Sequence, residues 1–252
     1  MAKRSNTKMI YFLIPVFNES KNILPLKNDL VQCLPGHDKF FVFVDDCSTD
    51  NTVSVIHENF FDINYRLIEK KQNKGPGDSF NRGFEWILNN RQENSEYIVT
   101  LEGDNTSDLS ILPKMVAISD LGFDLVLASV YSQGGKLDQT TFFRKLLSFF
   151  ANLIMRLTLN LNVLTLSSFY RVYKINLVEK IKANHRTIIS ENGFLSKVEI
   201  LIKAIQLNAS VIEVPTTLLS KRRKGKSKMK ISKTLIDYLK LIFKSRKFFK
   251  NN

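Results

Sequence analysis

Glu102 and Asp104, two carboxylates one residue apart around Gly103, stand directly after the apolar run 97–101 (YIVTL). Oxygen donors at that spacing can hold a hard divalent cation. Such a cation bridges diphosphate oxygens and stabilises charge on a leaving nucleotide. An isolated acid-x-acid triplet is more often a solvated loop, so its surroundings matter. Asp45-Asp46 follows a second apolar run, 40–44 (FFVFV), and Glu19 follows a third, Met9–Val16 (MIYFLIPV). A carboxylate of the Asp45-Asp46 pair could accept hydrogen bonds from a nucleobase or ribose. Ser48, Thr49 and Asp50 behind it suit the cap of a following helix.

Cationic groups form the complementary set. Arg222-x-x-Gly225-x-Ser227-Lys228 lies in a dense basic run. A glycine-containing loop with Arg, Lys and a hydroxyl can close over phosphates; the same composition also suits a solvated basic tail. Arg144-Lys145 heads an apolar stretch, and 231–249 reads as a basic amphipathic helix. Lys and Arg beside Phe and Leu suit a helix lying on a membrane surface, where each basic residue near an anionic leaflet contributes about 1 kcal/mol. For the helix headed by Arg144, packing into a core with one wet face fits equally well. His37, His57 and His185 show no ligand spacing. Cys33 and Cys47 show neither metal nor redox spacing, which fits a reducing compartment.

The elements that must position these groups alternate. Buried-strand runs at 9–16, 40–44, 65–68, 97–101 and 125–130 are separated by helical patterns after 17–20, after Ser48, at 78–88 and at 108–119. Strands alternating with helices predict a doubly wound α/β fold with a mostly parallel sheet and helices on both faces. Ligands of such sheets bind beyond the carboxyl ends of the strands. Glu19, Asp45, Asp46, Glu102 and Asp104 all fall there. The second half reads as a long helix at 140–161, a strand at 167–174, a helix at 194–207, a strand at 211–219 and the basic helix at 231–249. That divides the 252 residues into a main domain, 9–220, and a basic loop with an amphipathic surface helix, 221–252. The apolar stretch 146–170 is broken by Arg156 and three Asn, short of the roughly 20 apolar residues of a membrane span. The formal net charge of +13 asks for an anionic partner. No basic and aromatic reading surface for nucleic acid is identifiable.

Ile14-Pro15-Val16-Phe17-Asn18-Glu19, Val44 to Asp50 (VDDCSTD) and the acid-x-acid at Glu102 and Asp104 together resemble family 2 glycosyltransferases of the GT-A (Rossmann-like) fold. In the second half, Ser167 to Tyr173 (SSFYRVY), Val198-Glu199-Ile200-Leu201, Glu213-Val214-Pro215 and the Arg222 to Lys228 stretch resemble polyprenyl-phosphate sugar synthases, with dolichol-phosphate mannosyltransferase nearest. The resemblance spans about residues 9–243. It implies that Pro15, Phe17 and Glu19 line a nucleotide pocket and that Asp45 or Asp46 meets the base or ribose. Glu102, Gly103 and Asp104 would lie at the diphosphate and a divalent metal (Mg or Mn), Asp104 being the direct ligand. Arg222 and Lys228 would clamp phosphates, and Arg144, Ser168 and Arg171 would face the acceptor. Departures from the pattern stand at Glu102 (usually Asp), Thr106 (Gln), Val130 (Arg), Thr165 (Asp) and Phe169 (Gly).

The expected reaction is inverting, metal-dependent transfer of a sugar from a nucleotide-diphosphate sugar to a polyprenyl phosphate. It would occur at the cytoplasmic face of a membrane, reached peripherally or through a membrane-protein partner. The alternatives are transfer to a sugar hydroxyl, for which Glu191 is the nominated base, and a non-catalytic module of the same fold.

Overall fold

Met9–Val16 (β1) is an interior strand of the main sheet in the computed structural model, which describes residues 8–137, 163–166, 168–193 and 195–225. Its continuous apolar sequence follows from burial on both faces. Tyr11 and Leu13 point into one layer with Phe80, Phe84 and Ile87. Ile10, Phe12, Ile14 and Val16 point into the other with Ile23, Leu26 and Leu30. The same two-residue alternation divides β2 (Asp38–Asp45), where Val42 and Val44 oppose Phe41 and Phe43.

The remaining strands of the main sheet are β3 (Tyr65–Glu69), β4 (Ser95–Thr100), β5 (Leu125–Ser129), β7 (Arg171–Lys174) and β8 (Val211–Pro215). Their order is β3-β2-β1-β4-β7-β5-β8. All pairings are parallel except those of β7, which runs antiparallel between β4 and β5. Helices α1 (Ser20–Gln32), α2 (Thr52–Phe60), α3 (Pro76–Asn90), α4 (Leu112–Asp120), α5 (Ile175–Asn184) and α6 (Ser196–Gln206) cover the two faces. This is the expected doubly wound architecture.

Three local features differ from the sequence reading. The expected strand 211–219 is two strands: after Thr216 the chain leaves the main sheet, and β9 (Thr217–Leu218) pairs with β6 (Lys136–Leu137) in a small second sheet. Helix α5 was not anticipated; it follows β7 without a loop. The cap of α2 is also shifted. Asn51 is the boundary residue, while the Asp50 carboxylate accepts the Thr52 N–H at 3.0 Å. The helices expected at 140–161 and 231–249 lie outside the described residues.

Candidate functional site

Strand order reverses between β1 and β4, since the chain builds outward through β2 and β3 on one side and through β4 on the other. That reversal opens a crevice at the carboxyl ends of β1 and β4. Gly103 lets the two segments touch there. Its N–H donates to Pro15 O at 3.2 Å, and a Cβ at this position would sit 2.6 Å from Val16 Cγ1. Any side chain would push Glu102 and Asp104 away from the end of β1.

The carboxylates are individually fixed. Glu19, 9% exposed, receives the Asn22 Nδ2–H on Oε2 at 2.6 Å, and its own N–H donates to Thr52 Oγ1 at 2.8 Å. Asp104, 7% exposed, accepts the Thr106 hydroxyl at 2.7 Å and the Thr106 N–H at 3.2 Å on Oδ1. Between them Asn105 takes a left-handed φ of 59°, and its Oδ1 is buried without a hydrogen-bond partner among the described residues.

Two cations answer these acids. Arg223 donates to Asp104 Oδ2 through Nε at 2.8 Å and again through Nη2. Lys197 of α6 is buried, with Nζ 4.4 Å from the centroid of the Phe169 ring. Burial lowers the Lys197 pKa to about 8, against the pull of Glu102 and aided by the nearby Arg171 charge. Glu102 moves the other way. Burial first, then the Asp104 charge, raise it to about 7, with Glu19 adding to the shift and Lys197 and Arg223 opposing it. A carboxyl driven toward neutrality by burial and by an acidic neighbour is relieved by added positive charge. Oxygen donors from Glu102 and Asp104, with the partnerless Asn105 Oδ1 beside them, fit a hard divalent cation. Such an ion takes further ligands from phosphate oxygens and water. No group of three or more His, Cys, Asp or Glu in metal-holding geometry occurs among the described residues.

Pro15, Phe17, Glu19, Glu102, Gly103 and Asp104 therefore gather at one crevice. Asp45 and Asp46 end the adjacent strand. Asp45 accepts the Ser48 N–H at 2.9 Å and the Ser48 hydroxyl. Asp46 is more committed: it takes the Lys74 and Gly75 N–H groups at 2.9 and 2.8 Å and an ion pair with Lys70 at 2.6 Å. Arg171, 1% exposed, donates to the carbonyls of Ser168, Lys197 and Leu166 and to the Tyr173 hydroxyl. A guanidinium so engaged braces the segment beside β4. Ser168 accepts the Tyr170 N–H at 3.1 Å. Glu191 lies on the loop against the start of α3, where Gly77 N–H donates to Asn192 O at 2.8 Å. Arg222 turns to α1 and pairs with Asp29 at 2.5 Å, leaving its neighbour Arg223 to enter the acidic cluster. Arg144 and Lys228 lie outside the described residues.

The sequence reading passed over Lys197 and Arg223. Within Lys221 to Lys224 (KRRK), spacing does not say which cation faces inward. Lys197, between Ser196 and Val198, reads as the wet side of a helix; only the acids it faces, distant in sequence, explain its burial.

The family model described as Glycosyl transferase family 2 matches residues 11–182. A dolichol-phosphate mannosyltransferase of Pyrococcus furiosus is 29% identical over 94% of this chain, which spans 63% of that relative's length. A polyprenol monophosphomannose synthase of Mycolicibacterium smegmatis is 28% identical over 88% of this chain and 82% of its own. Among solved structures, a glucosyl-3-phosphoglycerate synthase from Mycobacterium tuberculosis in complex with Mn2+, uridine diphosphate and glucosyl-3-phosphoglycerate superposes with a TM-score of 0.61. It is 16% identical, with 94% of this chain and 80% of that one covered.

Proposed function

The chain belongs to glycosyl transferase family 2, and from that premise we propose that it transfers a sugar from a nucleotide-diphosphate sugar to a polyprenyl phosphate, with inversion at the anomeric carbon. The observation that carries this reading is the meeting of Glu19, Glu102 and Asp104 with Lys197 and Arg223 at the switch point between β1 and β4. The names of the relatives support the lipid-phosphate acceptor.

Each residue then has a task. Pro15, Phe17 and Glu19 line the nucleotide side. Asp46 is taken up by the loop 70–75, so Asp45 is the carboxylate assigned to the base or ribose. A divalent cation, as in the Mn2+ complex of the structural neighbour, would be held by Asp104 with Glu102 beside it and would neutralise the diphosphate leaving group. The lipid phosphate oxygen attacks the anomeric carbon as the bond to the diphosphate breaks. That oxygen is already anionic, so no general base is required. Arg171 acts by holding Ser168 and the start of α6 in place, while Arg222, Lys228 and Arg144 supply positive charge to the two phosphorylated partners. Membrane association follows from the acceptor. Among the described residues no helix is long and apolar enough to cross a membrane.

The test is a screen of nucleotide sugars with Mn2+ or Mg2+ and polyprenyl phosphate in detergent, reading nucleoside diphosphate release. Release that needs the lipid phosphate and disappears in Asp104→Ala supports the proposal. Release without lipid moves the acceptor to a sugar hydroxyl, with Glu191 as the base to test. Full activity in Asp104→Ala overturns the metal assignment.

A further inference from the structure

Residues 219–225 form a strap from β9 to α1 that is fastened at four points. Leu219 N–H donates to Thr106 O at 2.9 Å, two residues beyond Asp104. Arg222 pairs with Asp29 on α1. Arg223 grips Asp104 Oδ2 with two N–H groups. Lys224 is held by a two-way amide contact: its N–H donates to Asn22 Oδ1 at 2.8 Å, and Asn22 Nδ2–H donates to Lys224 O at 3.1 Å. Asn22 is 1% exposed, and the same Nδ2 group donates to Glu19 Oε2. The strap is thus bonded to, or one residue from a bond to, both flanking acids of the crevice.

Arg223 is the part of this strap that matters chemically. A carboxylate oxygen that accepts two guanidinium N–H groups has its lone pairs filled, and a guanidinium against it repels an incoming divalent cation. Asp104 Oδ2 is in that condition, and Oδ1 is taken by Thr106. Ligation of a metal by Asp104 therefore requires Arg223 to withdraw. Its side chain is only partly covered, 24% exposed, so withdrawal toward solvent or toward a bound diphosphate opens no core.

We propose that Arg223 is a positioning residue for the transfer reaction: it neutralises and holds Asp104 before donor binds, and it must leave Asp104 for a divalent cation to be held there. The inference rests on the metal reading of Asp104 given above. In that role Arg223 couples cation binding to the state of the strap, because releasing its guanidinium removes one of the four fastenings. Arg222, paired to Asp29 away from the acids, does not take part in the exchange.

The full-length protein is titrated with Mn2+ alone, and the loss of the free-ion electron paramagnetic resonance signal gives the affinity. Trypsin cleavage after Lys224 is followed in parallel. Arg223→Gln should bind Mn2+ roughly tenfold more tightly than wild type, as loss of a charge-assisted competitor predicts. Arg223→Lys, with charge but no fork, should fall between. Mn2+ should speed cleavage after Lys224 in wild type and change it little in Arg223→Gln, where that fastening is already absent. Asp104→Asn should abolish binding in every background. Equal or weaker Mn2+ binding by Arg223→Gln, with Asp104→Asn still abolishing it, overturns the role of Arg223 and leaves the metal site standing. No Mn2+ binding by wild type or by Arg223→Gln overturns the metal site itself, and this proposal with it.

Discussion

Lys70 shows how one side chain can set both stability and site geometry. Its Nζ lies 2.6 Å from Asp46, 2.7 Å from Asp78 and 3.1 Å from Ser79 Oγ, and its side chain is 2% exposed. It therefore joins the end of β2 to the first turn of α3. Removing one partner of a buried ion pair leaves the other as an uncompensated charge, which costs about 3–5 kcal/mol. Lys70→Met should lower the urea-unfolding free energy by about 3 kcal/mol. The Lys70→Met, Asp46→Asn double variant should recover part of that loss, because the stranded carboxylate is gone. A double variant that simply adds the two single losses would show that Lys70 acts by packing alone. Asp46 also looked like a ligand group from its place after a strand, and at this scale the sequence is ambiguous. Asp45 and Asp46 differ in the partners they meet, the N–H and hydroxyl of Ser48 in one case and the Lys74 and Gly75 N–H groups with the Lys70 ammonium in the other, all supplied by tertiary structure.

The contact of α3 with α6 is built on an equally small number of groups. Gly77 of α3 lies so close to the 190–193 loop that a Cβ would come 1.8 Å from Glu191 O. That loop is held from α6 by Glu199, which accepts the N–H of Ser190 and of Glu191 and pairs with Lys203 at 2.7 Å. Burial pushes the Glu199 carboxyl up, but the Lys203 and Ser190 hydrogen bonds outweigh it and hold the pKa below its ordinary value of 4.5. A carboxylate depressed on folding contributes stability that is complete above its unfolded value and is lost as pH falls through the folded one. Melting temperature should therefore decline below about pH 4.5. Glu199→Gln should flatten that acid limb and lower stability at neutral pH by about 1–3 kcal/mol. An unchanged acid limb would assign the acid sensitivity to other carboxylates. Elements of this kind are only partly legible in sequence. The strand ends, and with them Glu19, Glu102 and Asp104, follow from apolar runs that stop at polar residues. The direction of β7 does not: Val172 and Tyr173 are buried on opposite faces, so its pattern is the same whether it runs parallel or antiparallel. The start of α5 is hidden for a related reason, since Ile175, Leu177 and Val178 extend the apolar character of β7 without a turn signal.

Across the whole molecule, charge is divided unevenly. The formal net charge is +13, and residues 226–252 hold nine Lys and Arg against one Asp. The described domain meanwhile encloses acids at its crevice and balances them internally, Arg223 with Asp104 and Lys70 with Asp46 and Asp78. On the proposed function the two charge populations have different partners: the acids at the crevice would face a cation and a nucleotide, and the basic residues of 226–252 an anionic surface. That surface would carry the lipid phosphate acceptor. Each basic residue near an anionic leaflet contributes about 1 kcal/mol, and the attraction is screened within a Debye length of about 8 Å at physiological salt. The protein should therefore sediment with vesicles containing anionic lipid at low salt, bind neutral vesicles weakly, and be released as salt is raised. Replacing Lys240, Lys244, Arg246, Lys247 and Lys250 by Gln should abolish most of the binding at low salt, with Mn2+ binding measured in parallel to separate loss of membrane attraction from loss of the fold. If vesicle binding persists in molar salt or survives those replacements, insertion of apolar side chains rather than charge holds the protein to the membrane. The Phe and Leu residues of 231–249 then become the next to substitute.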